Sequence, residues 1–197
     1  MNRIAVLISG RGSNMRSIVE ACQDKQVNAT VVAVISNNPD AQGLAFAQNK
    51  NIDTAVLNHK QFANRLEFDS KLKTLIDSYE PDWVLLAGFM RIMGSDFVNH
   101  YRGRMINIHP SLLPLYPGLN THAKVLAAGD NTHGATVHFV TPELDAGPII
   151  AKAAVPVLPS DTEQTLAERV VRLEHKLYVQ ALQLCVNGDA KMTSNGQ

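Results

Sequence analysis

Asn107 and His109 stand two residues apart in "INIHPSLLP" (106–114), where an apolar run meets a proline. Positions i and i+2 of a strand share a face, so the amide and the imidazole point the same way if the strand persists. Pro110 stops the ladder because it has no N–H, which puts both side chains at a strand end. An amide NH2 is a neutral donor suited to a developing oxyanion. An imidazole beside it can donate to that oxygen or carry protons near neutral pH. The pair reads as half of a site for attack on an acyl carbonyl; the alternative is two side chains satisfying backbone groups in the following turn. A second strand-end loop, "TPELDAGP" (141–148), adds Asp145. A carboxylate near His109 would favour the imidazolium.

A second cluster, "SGRGSN" (9–14), follows the first apolar run and opens a helical pattern. Glycines allow a tight turn and close ligand approach, and a helix N-terminus offers free N–H groups to an anion, most naturally a phosphate. A dinucleotide is disfavoured, because G-x-G-x-x-G would need glycine where Met15 stands and the second strand ends in Ser36, Asn37 and Asn38 rather than an acid. A turn with only a structural role is the remaining alternative. Arg11, between the two glycines, adds a cation that would assist phosphate binding.

Other reactive residue types form no pattern. His133 and His138 have odd separation on one expected strand and so face opposite ways, and His59, His100, His122 and His175 lack ligand spacing. No metal site is expected. Ser111 is not in a G-x-S-x-G elbow. Cys22 and Cys185 lie within apolar helical patterns and read as buried free thiols of a reducing compartment.

Elements to position these groups follow from the hydrophobic pattern. "RIAVLI" (3–8), "TVVAVIS" (30–36), "DTAVL" (53–57) and "DWVLLAG" (82–88) are apolar runs without polar alternation, the mark of strands covered on both faces. "NMRSIVEACQ", "AQGLAFAQNK" and "EFDSKLKTLIDSYE" between them carry helical spacing, the last through Phe68, Leu72, Leu75, Ile76 and Tyr79. Such alternation predicts right-handed βαβ units. Further on, "RMINI" (104–108), "HGATVHFV" and "PIIAKAAVPV" read as strands, with helix only near 121–128. A long helix from Thr162 closes the chain on a stripe of Leu166, Val170, Leu173, Leu177, Ala181 and Leu184. The expected fold is α/β: one Rossmann-like doubly wound domain over 1–188, parallel in its N-terminal half, with a mixed or antiparallel C-terminal extension, the long helix, and a polar tail at 189–197.

Composition narrows the partners. Of 197 residues, 45% are hydrophobic and 18% charged, and 18 basic residues balance 18 acidic ones. No global field draws the chain to nucleic acid or an anionic membrane. The apolar run Ile4–Ile8 is too short for a signal peptide, and no stretch reaches ~18 apolar residues. A cytoplasmic protein with small-molecule substrates is expected, with neither nucleic acid nor membrane as partner.

"NIHPSLLPLYPG" (107–118) and "ELDAGP" (143–148) together resemble the signature of the folate-dependent formyltransferases, and the likeness runs from about residue 3 to about residue 187. "VLISGRGSN" and "AGFMRIM" (87–93) resemble the branch of that family acting in purine biosynthesis. The resemblance implies formyl transfer from 10-formyltetrahydrofolate to the amine of glycinamide ribonucleotide, without a metal, by a monomer or weak homodimer. It implies that Asn107, His109 and Asp145 are catalytic. It assigns Gly12, Ser13 and Asn14 to the ribonucleotide phosphate and Glu174 to another contact with that molecule. Arg65, the segment Met90, Arg91, Ile92 and Met93, and the loop Thr141, Pro142, Glu143, Leu144 and Asp145 match the folate pocket, which shares Asn107. A tRNA-acting member is expected to carry a C-terminal domain and a basic face, and a deformylase an additional N-terminal domain. Zero net charge, a first strand at residue 3 and an end soon after the long helix point away from both. A nonenzymatic nucleotide-binding module would explain SGRGSN but not the trio.

Overall fold

The computed structural model describes residues 1–192. The apolar runs form β1 (Asn2–Ile8), β2 (Ala29–Ser36), β3 (Asp53–Val56), β4 (Trp83–Leu86), β5 (Met105–His109), β6 (Thr132–Phe139) and β7 (Ile149–Pro156). Between and after them lie α1 (Ser13–Gln23), α2 (Gly43–Asn49), α3 (Arg65–Asp77), α4 (Ser95–His100), α5 (Thr121–Ala128) and α6 (Glu163–Asn187). The strands make one sheet in the order β3-β2-β1-β4-β5-β6-β7. The first five run parallel, β6 is antiparallel to β5, and β7 antiparallel to β6. The parallel half and its antiparallel extension stand as the hydrophobic patterning predicts. α4 does not, because six residues are too few to display a period.

Period-2 alternation gives the sheet two different faces. Ile4, Val6 and Ile8 pack with Met15 and Ile18 of α1 and with Leu166, Val170 and Leu177 of α6. Ala5 and Leu7 turn the other way, onto Phe68, Leu72 and Ile76 of α3 and Phe97 of α4. Strand order reverses direction between β1 and β4, the place where open α/β sheets leave a crevice beyond the strand ends. There the Ser9 N–H donates to the Gly88 carbonyl (3.1 Å) and the Met90 N–H to the Ser9 hydroxyl oxygen (2.8 Å). The loops after β1 and β4 are thereby tied together.

α6 docks on a stripe that differs from the sequence pattern. Leu173 is half-buried and Leu184 exposed, while Glu174, Tyr178, Leu182 and Cys185 are buried with Leu166, Val170, Leu177 and Ala181. The buried face extends to one side of that stripe, through Glu174, Tyr178, Leu182 and Cys185, so Leu173 and Leu184 fall at its edge. Of the expected polar tail, Asp189 and Ala190 turn back to donate to the Leu184 carbonyl at 2.8 and 3.0 Å. Residues 193–197 lie outside the described residues.

Tyr178 fastens α6 to the sheet: its fully buried hydroxyl reaches the carbonyls of Leu86 and Ile106, 3.1 Å from each. A buried polar partner of this kind is worth about 1–2 kcal/mol. Tyr178→Phe should lower the stability by that amount, read as a lower urea midpoint at unchanged m-value; an unmoved midpoint would show that the hydroxyl contributes nothing.

Candidate functional site

The β5–β6 register builds the centre of the site. Asn107 opposes His138 and His109 opposes Thr136, so all four point to one face, opposite that of Ile106 and Ile108. That face is the one α3 and α4 cover further along the sheet. At β5 and β6 it is covered instead by the loop carrying Asp145, whose Oδ2 lies 3.4 Å from His109 Nδ1 and whose Oδ1 lies 3.8 Å from His138 Nε2. The side chains of His109 and Asp145 are only 7% and 9% exposed, so their interaction is poorly screened by water. The two loops do not meet as neighbouring strand ends. Phe139, the last residue of β6, pairs with Ile106 near the start of β5, and the chain crosses back over the face to bring Asp145 to His109.

Backbone geometry makes that crossing possible. A Cβ on Gly147 would stand 1.8 Å from the Phe139 carbonyl oxygen, so only glycine lets the returning loop lie against β6. Asp145 itself adopts the left-handed region, with φ 51°, a conformation aspartate tolerates better than most residues. The Gly118 N–H donates to Asp145 Oδ2 at 2.8 Å and anchors the carboxylate.

Hydrogen bonds assign the protons. His109 Nε2 lies 2.9 Å from the Tyr116 carbonyl, which can only accept, so Nε2 carries hydrogen and Nδ1 faces Asp145. His138 Nδ1 likewise faces a carbonyl, that of Phe139, at 2.9 Å. Burial lowers the His138 pKa and keeps the ring neutral, which leaves Nε2 an acceptor for the Asn107 amide at 3.2 Å. One amide hydrogen of Asn107 is thus directed to His138 and the other has no partner among the described residues. Sequence reasoning weighed His138 only as a metal ligand and missed this role, because the signal is a cross-strand pairing that a single strand's spacing does not carry.

The glycine loop opens α1 as the sequence predicts. Gly12 is the N-cap in left-handed conformation, φ 69°, and no side chain caps the first-turn N–H groups, which stay available to an anion. Arg11, Ser13, Arg16, Gln42 and Val171 line a groove of about 280 Å³ beside it. Asn14 joins α1 to α6, its Nδ2 donating to Glu174 Oε2 at 2.8 Å, while its own Oδ1 is buried without a partner among the described residues. Burial raises the Glu174 pKa, and the Asn14 hydrogen bond opposes the rise only in part.

The loop after β4 divides its residues. Met90 and Ile92 are 68% and 62% exposed, whereas Met93 is buried against Phe68 and Phe97 and presents no side chain to solvent. Arg65, the first residue of α3, is exposed near Gly94, and Arg91 lies over the Phe68 ring. Leu144, in the loop that also carries Asp145, is 55% exposed. Burial pushes the Cys22 and Cys185 thiols up to about 11 and about 12, which leaves both inert as nucleophiles.

Glu174 yields a pH test of its burial. Its folded-state pKa lies above the ordinary value of 4.5, so the carboxyl costs stability once pH exceeds that value and nothing well below it. Glu174→Gln should therefore melt higher than the parent at pH 8, and the advantage should vanish by pH 4. A variant that melts lower at pH 8 would mean that the ionised Asn14 pair stabilises the fold.

Residues 2–182 match the formyl transferase family. The chain is 49% identical to the phosphoribosylglycinamide formyltransferase of Escherichia coli strain K12, over 98% of this chain and 91% of that protein. It is 45% identical to the human trifunctional purine biosynthetic protein adenosine-3, over 99% of this chain but only 19% of that longer protein. The structure of the Coxiella burnetii phosphoribosylglycinamide formyltransferase superposes with TM-score 0.93 at 49% identity, covering 98% of this chain and 91% of the other. A family match over nearly the whole chain, close relatives of similar length and the same fold lead to one conclusion: the chain belongs to the formyl transferase family.

Proposed function

We propose that this protein transfers the formyl group of 10-formyltetrahydrofolate to the amine of glycinamide ribonucleotide, giving formylglycinamide ribonucleotide and tetrahydrofolate in purine biosynthesis. The observation that carries the reading is Asp145 against His109 on the face that also presents the Asn107 amide. The formyl carbon is attacked by the glycyl nitrogen, and the carbonyl oxygen becomes an oxyanion. The free amide hydrogen of Asn107 and the Nε2–H of His109 donate to that oxygen, the latter exchanging its present acceptor, the Tyr116 carbonyl. A proton on His109 Nδ1 is balanced by Asp145. The ammonium proton of the incoming amine passes, through water beside Asp145, to the departing folate nitrogen, and the carbon–nitrogen bond to folate breaks as the new amide forms.

The uncapped N-terminus of α1 and its glycine turn suit the ribonucleotide phosphate, with Gly12, Ser13 and Asn14 around it. Glu174, held by Asn14, supplies an acceptor for a ribose hydroxyl. The exposed apolar residues Met90, Ile92 and Leu144 offer a surface for the flat pteridine and benzoyl parts of the donor, with Arg65, Arg91 and the Thr141–Asp145 loop at its margins. The setting is cytoplasmic, in keeping with two buried free thiols, and the working form is a monomer or weak homodimer with small molecules as its substrates. No described helix is long and apolar enough to cross a membrane.

The reading is tested by mixing the protein with glycinamide ribonucleotide and the formyl donor and following release of tetrahydrofolate. Release without ribonucleotide would indicate deformylation instead. His109→Ala should reduce turnover by at least ~10²-fold, the usual loss on removing an oxyanion donor, with the fold intact. Turnover within threefold of the parent would sink its assignment. Arg11→Ala should raise the KM for ribonucleotide three- to tenfold at unchanged kcat, through loss of one cation at the phosphate groove; an unmoved KM retires that contact.

A further inference from the structure

Ser36, Asn37 and Asn38 end β2 where a dinucleotide-binding chain would carry an acid for the ribose, and no step of the formyl transfer uses them. Register places this corner. Ile8 pairs with Ser36, so Ser9 and Asn37 leave adjacent parallel strands side by side at their carboxyl ends. Asn37 is 3% exposed, and an apolar side chain there would avoid the desolvation of an amide. Its Oδ1 accepts the Ser9 hydroxyl hydrogen at 2.6 Å, and its Nδ2 lies 3.1 Å from His59 Nδ1. Asn38 holds the backbone of the same serine, its Nδ2 donating to the Ser9 carbonyl at 3.2 Å. With its hydrogen committed to Asn37, the Ser9 hydroxyl accepts the Met90 N–H at 2.8 Å.

Little else holds Met90. Its side chain and that of Ile92 are 68% and 62% exposed, so core packing does not fix the stretch between buried Phe89 and buried Met93. Among the described residues, only two N–H groups of the 89–94 segment are hydrogen-bonded: Met90 to the Ser9 hydroxyl and Gly94 to Asp69 Oδ2. A serine hydroxyl without a partner samples three rotamers, and the bond to Asn37 selects the one that faces Met90.

We infer that Asn37 is a positioning residue for the formyl donor, acting through the Ser9 hydroxyl to fix the Met90–Ile92 segment against which the donor's flat rings lie. The inference rests on the formyl-donor reading above. An exposed apolar segment binds well only if it is already held in its binding conformation, because ordering it at that moment opposes association. The ribonucleotide loop is secured by bonds that do not pass through Asn37: the Ser9 N–H to the Gly88 carbonyl and the Gly43 N–H to the Gly10 carbonyl, 3.1 Å each. The two substrates therefore respond differently when the Asn37 side chain is removed.

The experiment measures kcat and both KM values for Asn37→Ala, Ser9→Ala and the double variant. Each single change should raise the KM for 10-formyltetrahydrofolate about fivefold, the contribution of one hydrogen bond. The kcat and the KM for glycinamide ribonucleotide should stay within about twofold of the parent. The double variant should show no larger rise than either single one, because both residues act through one chain of hydrogen bonds. Should either single variant fail to fold, the other makes the same comparison by itself. Equal rises in both KM values would reduce the pair to a general support of the crevice. An unmoved donor KM would remove its role, and multiplying effects in the double variant would mean that Asn37 does not act through Ser9; each of the three results overturns the inference. A parent protein that transfers no formyl group overturns the proposed function, whereas an active parent with any of those three results overturns the inference alone.

Discussion

The register of β6 against β5 is the constraint on which the rest of this molecule depends. Side chains alternate across a strand, so pairing Asn107 with His138 and His109 with Thr136 sends four polar groups to one face and Ile106, Ile108 and Val137 to the apolar core on the other. A slip of one residue would drive two isoleucines into the crevice and bury an amide and an imidazole among Val170, Leu177 and Tyr178. The apolar half of the strand therefore enforces the placement of the polar half. The geometry of the candidate site and the core packing are fixed by the same ladder.

Charge in the site is handled by pairing rather than exposure. Asp145, almost fully enclosed, faces two imidazoles and takes a backbone hydrogen bond from Gly118. His138 is kept neutral by burial, and its neutrality makes it an acceptor that fixes the direction of the Asn107 amide. Glu174 lies between α1 and α6 with Asn14 as its partner, where an apolar pair would have packed with less cost. Buried polar groups placed against the interest of stability lie around the crevice, as expected where binding rather than folding chooses the residue.

Much of this was legible beforehand. Unbroken apolar runs announced the parallel strands, and strand patterns with little helix between them after residue 104 announced the antiparallel extension. Asn107, His109 and the glycine turn declared themselves by residue type and spacing. His138 did not, since its function comes from a partner thirty-one residues away and from a neutral charge state imposed by burial. Met93 shares the loop after β4 by position, but its side chain packs in the core, which the sequence pattern did not show. The helix stripe of α6 erred at Leu173 and Leu184 because the true interface is broader to one side and includes Glu174 and Tyr178, which a stripe of leucines and valines does not select.

The linear chain by itself determined which elements form, which of their faces are apolar, and where a strand must stop at Pro110 or a helix must open after Gly12. Those are local consequences of backbone dihedrals, missing donors and side-chain period, and they need no knowledge of neighbours. Tertiary structure alone decided that the 141–148 loop turns back across the sheet instead of ending beside β5. It also decided that Asn14 meets Glu174 across 160 residues and that Asp69 on α3 accepts the Gly94 N–H. Such pairings depend on register, on a glycine narrow enough to lie against a strand, and on the exclusion of water around a charge. None of these is a property of any one segment.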